Sequence, residues 1–168
     1  MQDSPGKESP PTQMIADAML GELARWLRVL GCDTLYYRDT SDREIVVRAL
    51  RDHRTILTRD THFLNMKAVH HLVFLKSEDL PEQLRQVIDE LGLDVNSNRF
   101  TRCLECNTLL AEVPKPEVEG RVPVYVFEHK ERFSQCPGCG RIYWAGTHMD
   151  RMSQKIQILL GENPELNP

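Results

Sequence analysis

Met14-Ile15-Ala16-Asp17-Ala18-Met19-Leu20-Gly21 runs into Leu23-Ala24-Arg25-Trp26-Leu27-Arg28, and the change of periodicity inside this stretch decides the fold. Three consecutive apolar residues ending on an acid read as a short buried strand. Leu20, Leu23, Leu27 and Leu30 then recur at helical spacing, and Gly31 falls where a helix end takes a left-handed residue. The same alternation continues outward. Thr34-Leu35-Tyr36-Tyr37 reads as a second strand, and Ser41-Asp42-Arg43-Glu44 is a capping box opening a helix with Ile45, Val46, Ala49 and Leu50 on its apolar face. Thr55-Ile56-Leu57-Thr58 is a third strand, followed by a helical turn around Phe63, Leu64 and Met66. His71-Leu72-Val73-Phe74-Leu75 is a fourth, and a helix from Pro81 carries Leu84, Val87, Ile88 and Leu91 up to Gly92. Strand and helix alternating in this way predict an α/β domain over residues 14–95, with a central parallel sheet flanked by helices.

Residues 1–13 are polar and proline-rich without an apolar core segment, and are expected to be a disordered lead-in rather than a secretory signal. No apolar run approaches the roughly 20 residues that span a bilayer, so no membrane partner is expected. A cytoplasmic, reducing location follows, and it suits the five cysteines: an odd number containing two CxxC pairs makes a poor disulfide framework and a good metal site. Cys32, the one left over, is expected in the core. A net charge of -4 argues against non-specific coating of nucleic acid.

The texture changes after the polar stretch Asp94-Val95-Asn96-Ser97-Asn98. Residues 96–147 hold Cys103-Leu104-Glu105-Cys106 and Cys136-Pro137-Gly138-Cys139, with a β-rich stretch expected at residues 122–127. Each CxxC turns two thiolates toward adjacent corners of a tetrahedron, so the two pairs close the coordination of one structural zinc and leave no open position for catalysis. Residues 99–147 contain seven Lys or Arg against six Glu, so this zinc ribbon carries no strong basic patch. In residues 148–168, Met149, Met152, Ile156 and Leu159 are spaced as a final amphipathic helix.

Functional groups of a parallel α/β sheet gather at the carboxyl ends of its strands. Asp17 and Asp60 end strands, and Asp42 opens the helix after the second, so the three can meet at one edge. Such hard oxygen ligands suit Mg²⁺ or Mn²⁺. Asp42 reads equally as a helix-capping acid, and Glu44 belongs to the capping box. A carboxylate ending a buried strand, as at Asp17, is costly unless it is paired or metal-bound. Arg25 and Arg28, three apart on the polar side of the first helix, are placed to hold phosphates near Asp17 or to be solvated; Arg59 can do the same or pair with an acid. His53, His62, His70 and His71 read as ordinary surface or core residues.

With Thr58-Arg59-Asp60, Arg102-Cys103-Leu104-Glu105-Cys106-Asn107, Cys136-Pro137-Gly138-Cys139 and Tyr143-Trp144-Ala145-Gly146-Thr147-His148 added to the opening stretch, the chain resembles the Mut7-C RNase family, a PIN-like nuclease domain fused to a zinc ribbon. The resemblance covers about residues 14–155. It implies a metal-dependent ribonuclease whose acidic centre falls on Asp17, Asp42 and Asp60. One or two Mg²⁺ or Mn²⁺ ions there would activate water against single-stranded RNA, and a protein partner or inhibitor would fit such an enzyme. The alternative is an RNA- or protein-binding adaptor with a vestigial PIN-like domain. A phosphoacceptor domain is a third reading, which the appended ribbon and the lack of an acidic pair after the first strand disfavour.

Overall fold

The computed structural model describes residues 12–162. Of the expected lead-in, residues 1–11 lie outside the described residues, as do 163–168 at the other end. The chain order is β1 (Met14–Ala16), α1 (Gly21–Val29), β2 (Thr34–Tyr36), α2 (Asp42–Arg51), β3 (Thr55–Thr58), a 3₁₀ turn (Thr61–Asn65), β4 (Leu72–Phe74) and α3 (Leu80–Leu91). The four strands form one parallel sheet in the order β2-β1-β3-β4.

The pleat sorts the central strands onto two faces. Met14, Ala16, Leu57 and Val73 join Leu23, Leu27, Leu84 and Val87 in one core under α1 and α3. Ile15 and Ile56 turn the other way and join Ile45, Val46, Ala49 and Phe63 under α2 and the 3₁₀ turn. A sheet covered on both sides explains strands that read as continuous apolar runs. Each large aliphatic side chain so buried contributes about 1.5–3 kcal/mol. Leu50, expected on the apolar face of α2, is 44% exposed. Ile45, Val46 and Ala49 already fill the stripe that meets the sheet, and Leu50 lies off it.

Gly31 takes φ +86° after α1, and a Cβ there would lie 2.0 Å from the Asn98 carbonyl oxygen. Glycine therefore allows both the left-handed turn and the close passage of the 94–98 segment.

The second part carries a three-stranded antiparallel sheet of β5 (Ala111–Val113), β6 (Phe133–Gln135) and β7 (Ile142–Trp144). The stretch at 122–127, expected to be β-rich, is instead the short helix α4 (Val124–His129). Pro123 caps it, accepting the Phe127 N–H at 3.0 Å. Val122 and Val126, four apart, join the small core of Val118 and Phe133. The packing of buried Val122 and half-buried Val126 one helical turn apart overrides the β propensity of Val-Tyr-Val-Phe. α5 (Thr147–Leu160) returns to the first part, burying Met152, Ile156 and Leu159 in the α1–α3 core, with Lys155 Nζ 5.0 Å above the Trp26 ring.

Candidate metal centres

Asp17 follows β1 and is 4% exposed. Its Oδ2 accepts the Thr58 hydroxyl and, at 3.4 Å, the Arg59 N–H, while its Oδ1 accepts the Met19 N–H at 2.9 Å. The buried acid is thus fixed between the ends of β1 and β3, as its cost in an apolar setting requires. Thr58 Oγ1 also accepts the Asp60 N–H at 2.9 Å. Asp60 is exposed and caps the 3₁₀ turn by accepting the His62 N–H at 2.8 Å. The His62 ring closes the chain: its Nδ1 lies 3.0 Å from Asp42 Oδ2. Asp17, Asp60 and Asp42 are therefore linked along one edge through Thr58 and through the backbone and ring of His62, but their carboxylates are not drawn within 4.8 Å of one another as a ligand group.

His62, which reads in the sequence as an ordinary surface or core residue, joins this edge. Its signal was its place two residues after Asp60 in the first turn beyond β3, where its N–H and its ring reach different acids. Glu44 keeps to its box, accepting the Ser41 N–H at 2.9 Å while its own N–H bonds Ser41 Oγ at 3.3 Å.

The arginines stand elsewhere than expected. α1 runs away from the Asp17 edge, so Arg25 and Arg28 lie down the helix toward the second part. Arg25 pairs with Glu105 at 3.5 Å. Arg28, expected on the polar side, is buried. It gives Nε to the Thr34 carbonyl at 2.8 Å and Nη1 to the carbonyls of Leu104 and Glu105 at 2.9 and 3.1 Å. Those donors are spent on backbone oxygens and are not free for phosphate. Arg59 stays at the acidic edge, with Nη2 2.7 Å from Glu78 and Nε buried without a partner.

The four cysteines are, among the described residues, the one group of three or more potential ligands drawn closely enough to hold a metal ion; their sulfurs all lie within 4.8 Å of one another. Each pair sits in the same backbone frame. The Cys103 carbonyl accepts the Asn107 N–H at 3.0 Å, and the Cys136 carbonyl accepts the Gly140 N–H at 2.9 Å. Asn107 (φ +70°) and Gly140 (φ +75°) take the left-handed turn behind each pair. Burial works to raise the Cys106 thiol, but the Thr108 hydroxyl 3.3 Å away and neighbouring groups bring it down to about 6. Cys139, despite its bond with the Arg141 backbone, is pushed up to about 12 by the crowded sulfurs. Four thiols this close cannot all ionise without a cation between them.

Around the first pair the two parts interlock. Asn107 accepts the Thr34 N–H at 2.9 Å and donates to Asp33 at 2.8 Å; Arg102 donates to the Gly31 carbonyl at 3.1 Å and lies 3.6 Å from Asp33, which Arg54 meets at 2.6 Å. Asp33 and Arg54 precede β2 and β3. The first cysteine pair therefore docks at the amino end of the sheet, opposite the Asp17 edge.

A doubly covered parallel sheet with a buried acid at its carboxyl edge, joined to a four-cysteine module, defines a two-part α/β protein. The sequence model of the family described as the Mut7-C RNAse domain matches residues 12–156, and the chain belongs to that family. A comparison with curated proteins gives no match. No helix among the described residues is long and apolar enough to cross a membrane.

Proposed function

We propose that this protein is a ribonuclease that hydrolyses phosphodiester bonds of single-stranded RNA at the Asp17, Asp42 and Asp60 edge, and that its four cysteines hold a structural zinc. The observation that carries the reading is Asp17: a buried carboxylate fixed at the carboxyl edge of the sheet, in a chain that belongs to a nuclease-type family. The donor set at that edge is carboxylate oxygen, which fits Mg²⁺ or Mn²⁺; four thiolates fit zinc. When bound, one or two such hard cations supply Lewis-acid activation of water and stabilisation of the leaving oxygen. The chain's own part is positioning. Asp17 is held by Thr58 and the Arg59 amide, and His62 meets Asp60 with its backbone N–H and Asp42 with its ring, the contacts by which it would act as a positioning residue. Arg59, the arginine that lies beside Asp17 with Nη2 on Glu78, is the one to which we assign the phosphate contact.

The test is cleavage of single-stranded RNA by the full chain with Mn²⁺ or Mg²⁺. Asp17→Asn and Asp60→Asn should each lower the rate by about a hundredfold or more, the scale of a positioned catalytic group, with melting temperature checked alongside. Wild-type cleavage by both folded variants would overturn the assignment. RNA retained without cleavage would replace it with the adaptor reading.

A further inference from the structure

At the amino end of the sheet, away from the acidic edge, the end of α2 and the segment before β4 enclose a partly open cavity of about 210 Å³. Its floor is apolar, formed by Val46, Ala49, Ile56 and Val69. Its polar lining is His53, Arg54, His70 and His71, and no aspartate or glutamate lines it, in a chain with more acids (25) than bases (21). Half of the protein's six histidines thus meet at one cavity. Among the described residues no hydrogen bond or ion pair engages their imidazoles.

Arg54 supplies the strongest pointer to a ligand. Its Nη1 is held on the Met14 carbonyl at 3.2 Å and on Asp33 at 2.6 Å, while its Nε is buried without a partner. A buried donor left this way is costly, and a ligand oxygen bonded to it would remove that cost. Asp33 does not neutralise the locality, because it is divided between Arg54 and Arg102. His53 adds a second pointer. It takes φ +49° where α2 ends, in a turn closed by the Arg54 N–H to Ala49 carbonyl bond of 2.8 Å. Glycine or asparagine would sit there at less cost, and strain kept at a cavity rim points to use of the side chain.

We infer that this cavity binds a phosphomonoester, with the phosphate on His53, Arg54, His70 and His71 and the organic part against Val46, Ala49 and Val69. Four nitrogen-bearing side chains around one cavity suit the several terminal oxygens of a phosphate better than the two of a carboxylate. The apolar floor calls for more than inorganic phosphate. A free mononucleotide and the terminal phosphate of an oligoribonucleotide share this chemistry.

The experiment is amide and imidazole NMR on the metal-loaded full chain. It is titrated with inorganic phosphate, adenosine 5′-monophosphate, and a short oligoribonucleotide with or without its 5′-phosphate. Saturable shifts in residues 68–71 with the mononucleotide, or with the phosphorylated but not the hydroxyl oligonucleotide, support the site and tell the two sources apart. The double variant His70→Ala/His71→Ala should weaken binding by about tenfold or more, the worth of charge-assisted hydrogen bonds. His53→Gly should also weaken it while leaving the melting temperature unchanged or higher, since glycine relaxes the backbone there. The inference is overturned if no probe gives saturable shifts, if inorganic phosphate binds as well as the mononucleotide, or if the variants bind like the wild type. Asp17→Asn should leave these shifts intact whatever it does to cleavage, so this result and that of the nuclease assay are read separately.

Discussion

Asp33 shows how one residue is committed to several neighbours. It precedes β2, accepts hydrogen bonds from Arg54 (2.6 Å) and Asn107 (2.8 Å), and lies 3.6 Å from Arg102, its side chain 17% exposed. Burial alone would raise its carboxyl, but the hydrogen bonds from Arg54 and Asn107 and the two guanidinium charges outweigh it and hold the group below the ordinary carboxylate range. A depressed folded value means that its stabilisation is complete above the unfolded value of about 3.9 and is lost as pH falls through the lower, folded one. Removing the carboxylate leaves two arginines short of a partner, so Asp33→Ala should cost about 3 kcal/mol at neutral pH. The loss should shrink in acid, where the wild type also surrenders the interaction. Urea unfolding at several pH values measures both; parallel curves for the two proteins would refute the linkage.

Among the elements, those set by local pattern are legible in the sequence. The four strands, the Ser41 to Glu44 box and the glycine stops at 31 and 92 all follow from apolar spacing and cap chemistry. α4 is not, because Val-Tyr-Val-Phe is a run of strand-favouring residues, and the packing of Val122 and Val126 with Phe133 decides otherwise. The two glycine stops also separate local from tertiary demands. Gly92 has φ +59° with nothing within 4 Å of an added Cβ, whereas at Gly31 that atom would strike the Asn98 backbone. Gly92→Ala should therefore cost only the left-handed penalty, about 1–2 kcal/mol. Gly31→Ala must also displace the 94–98 segment and should lower the thermal midpoint further. Equal shifts in a melting experiment would mean that the crossing segment yields freely.

At the scale of the whole molecule, the four-cysteine cluster and the candidate acids are readable as residue types, but the spatial relation of the two is not. Sequence order places Arg25 and Arg28 within eleven residues of Asp17. The antiparallel run of α1 carries them away from it and into the first cysteine pair, a consequence of topology that no spacing encodes. His62 was hidden for the opposite reason, since its partner Asp42 is twenty residues distant in sequence. The docking of the cysteine pair at the amino end of the sheet would give a metal bound there a reach beyond its own module. The carbonyls of Leu104 and Glu105 that hold Arg28, and the Asn107 side chain that holds the Thr34 N–H, all belong to the turn that the Cys103 and Cys106 thiolates would fix. Stripping the metal frees that turn and leaves the buried Arg28 and the Thr34 N–H without firm partners. Hydrogen exchange after chelation should consequently speed up at Thr34 and at the C-terminal turn of α1 as well as inside the cysteine module. Phe63 and the acidic edge sit across the sheet from this junction, so amides around residues 60–65 should keep their protection. Acceleration confined to residues 99–147 would show that the two parts are only tethered, and the junction at Asp33 would then be a contact without mechanical consequence.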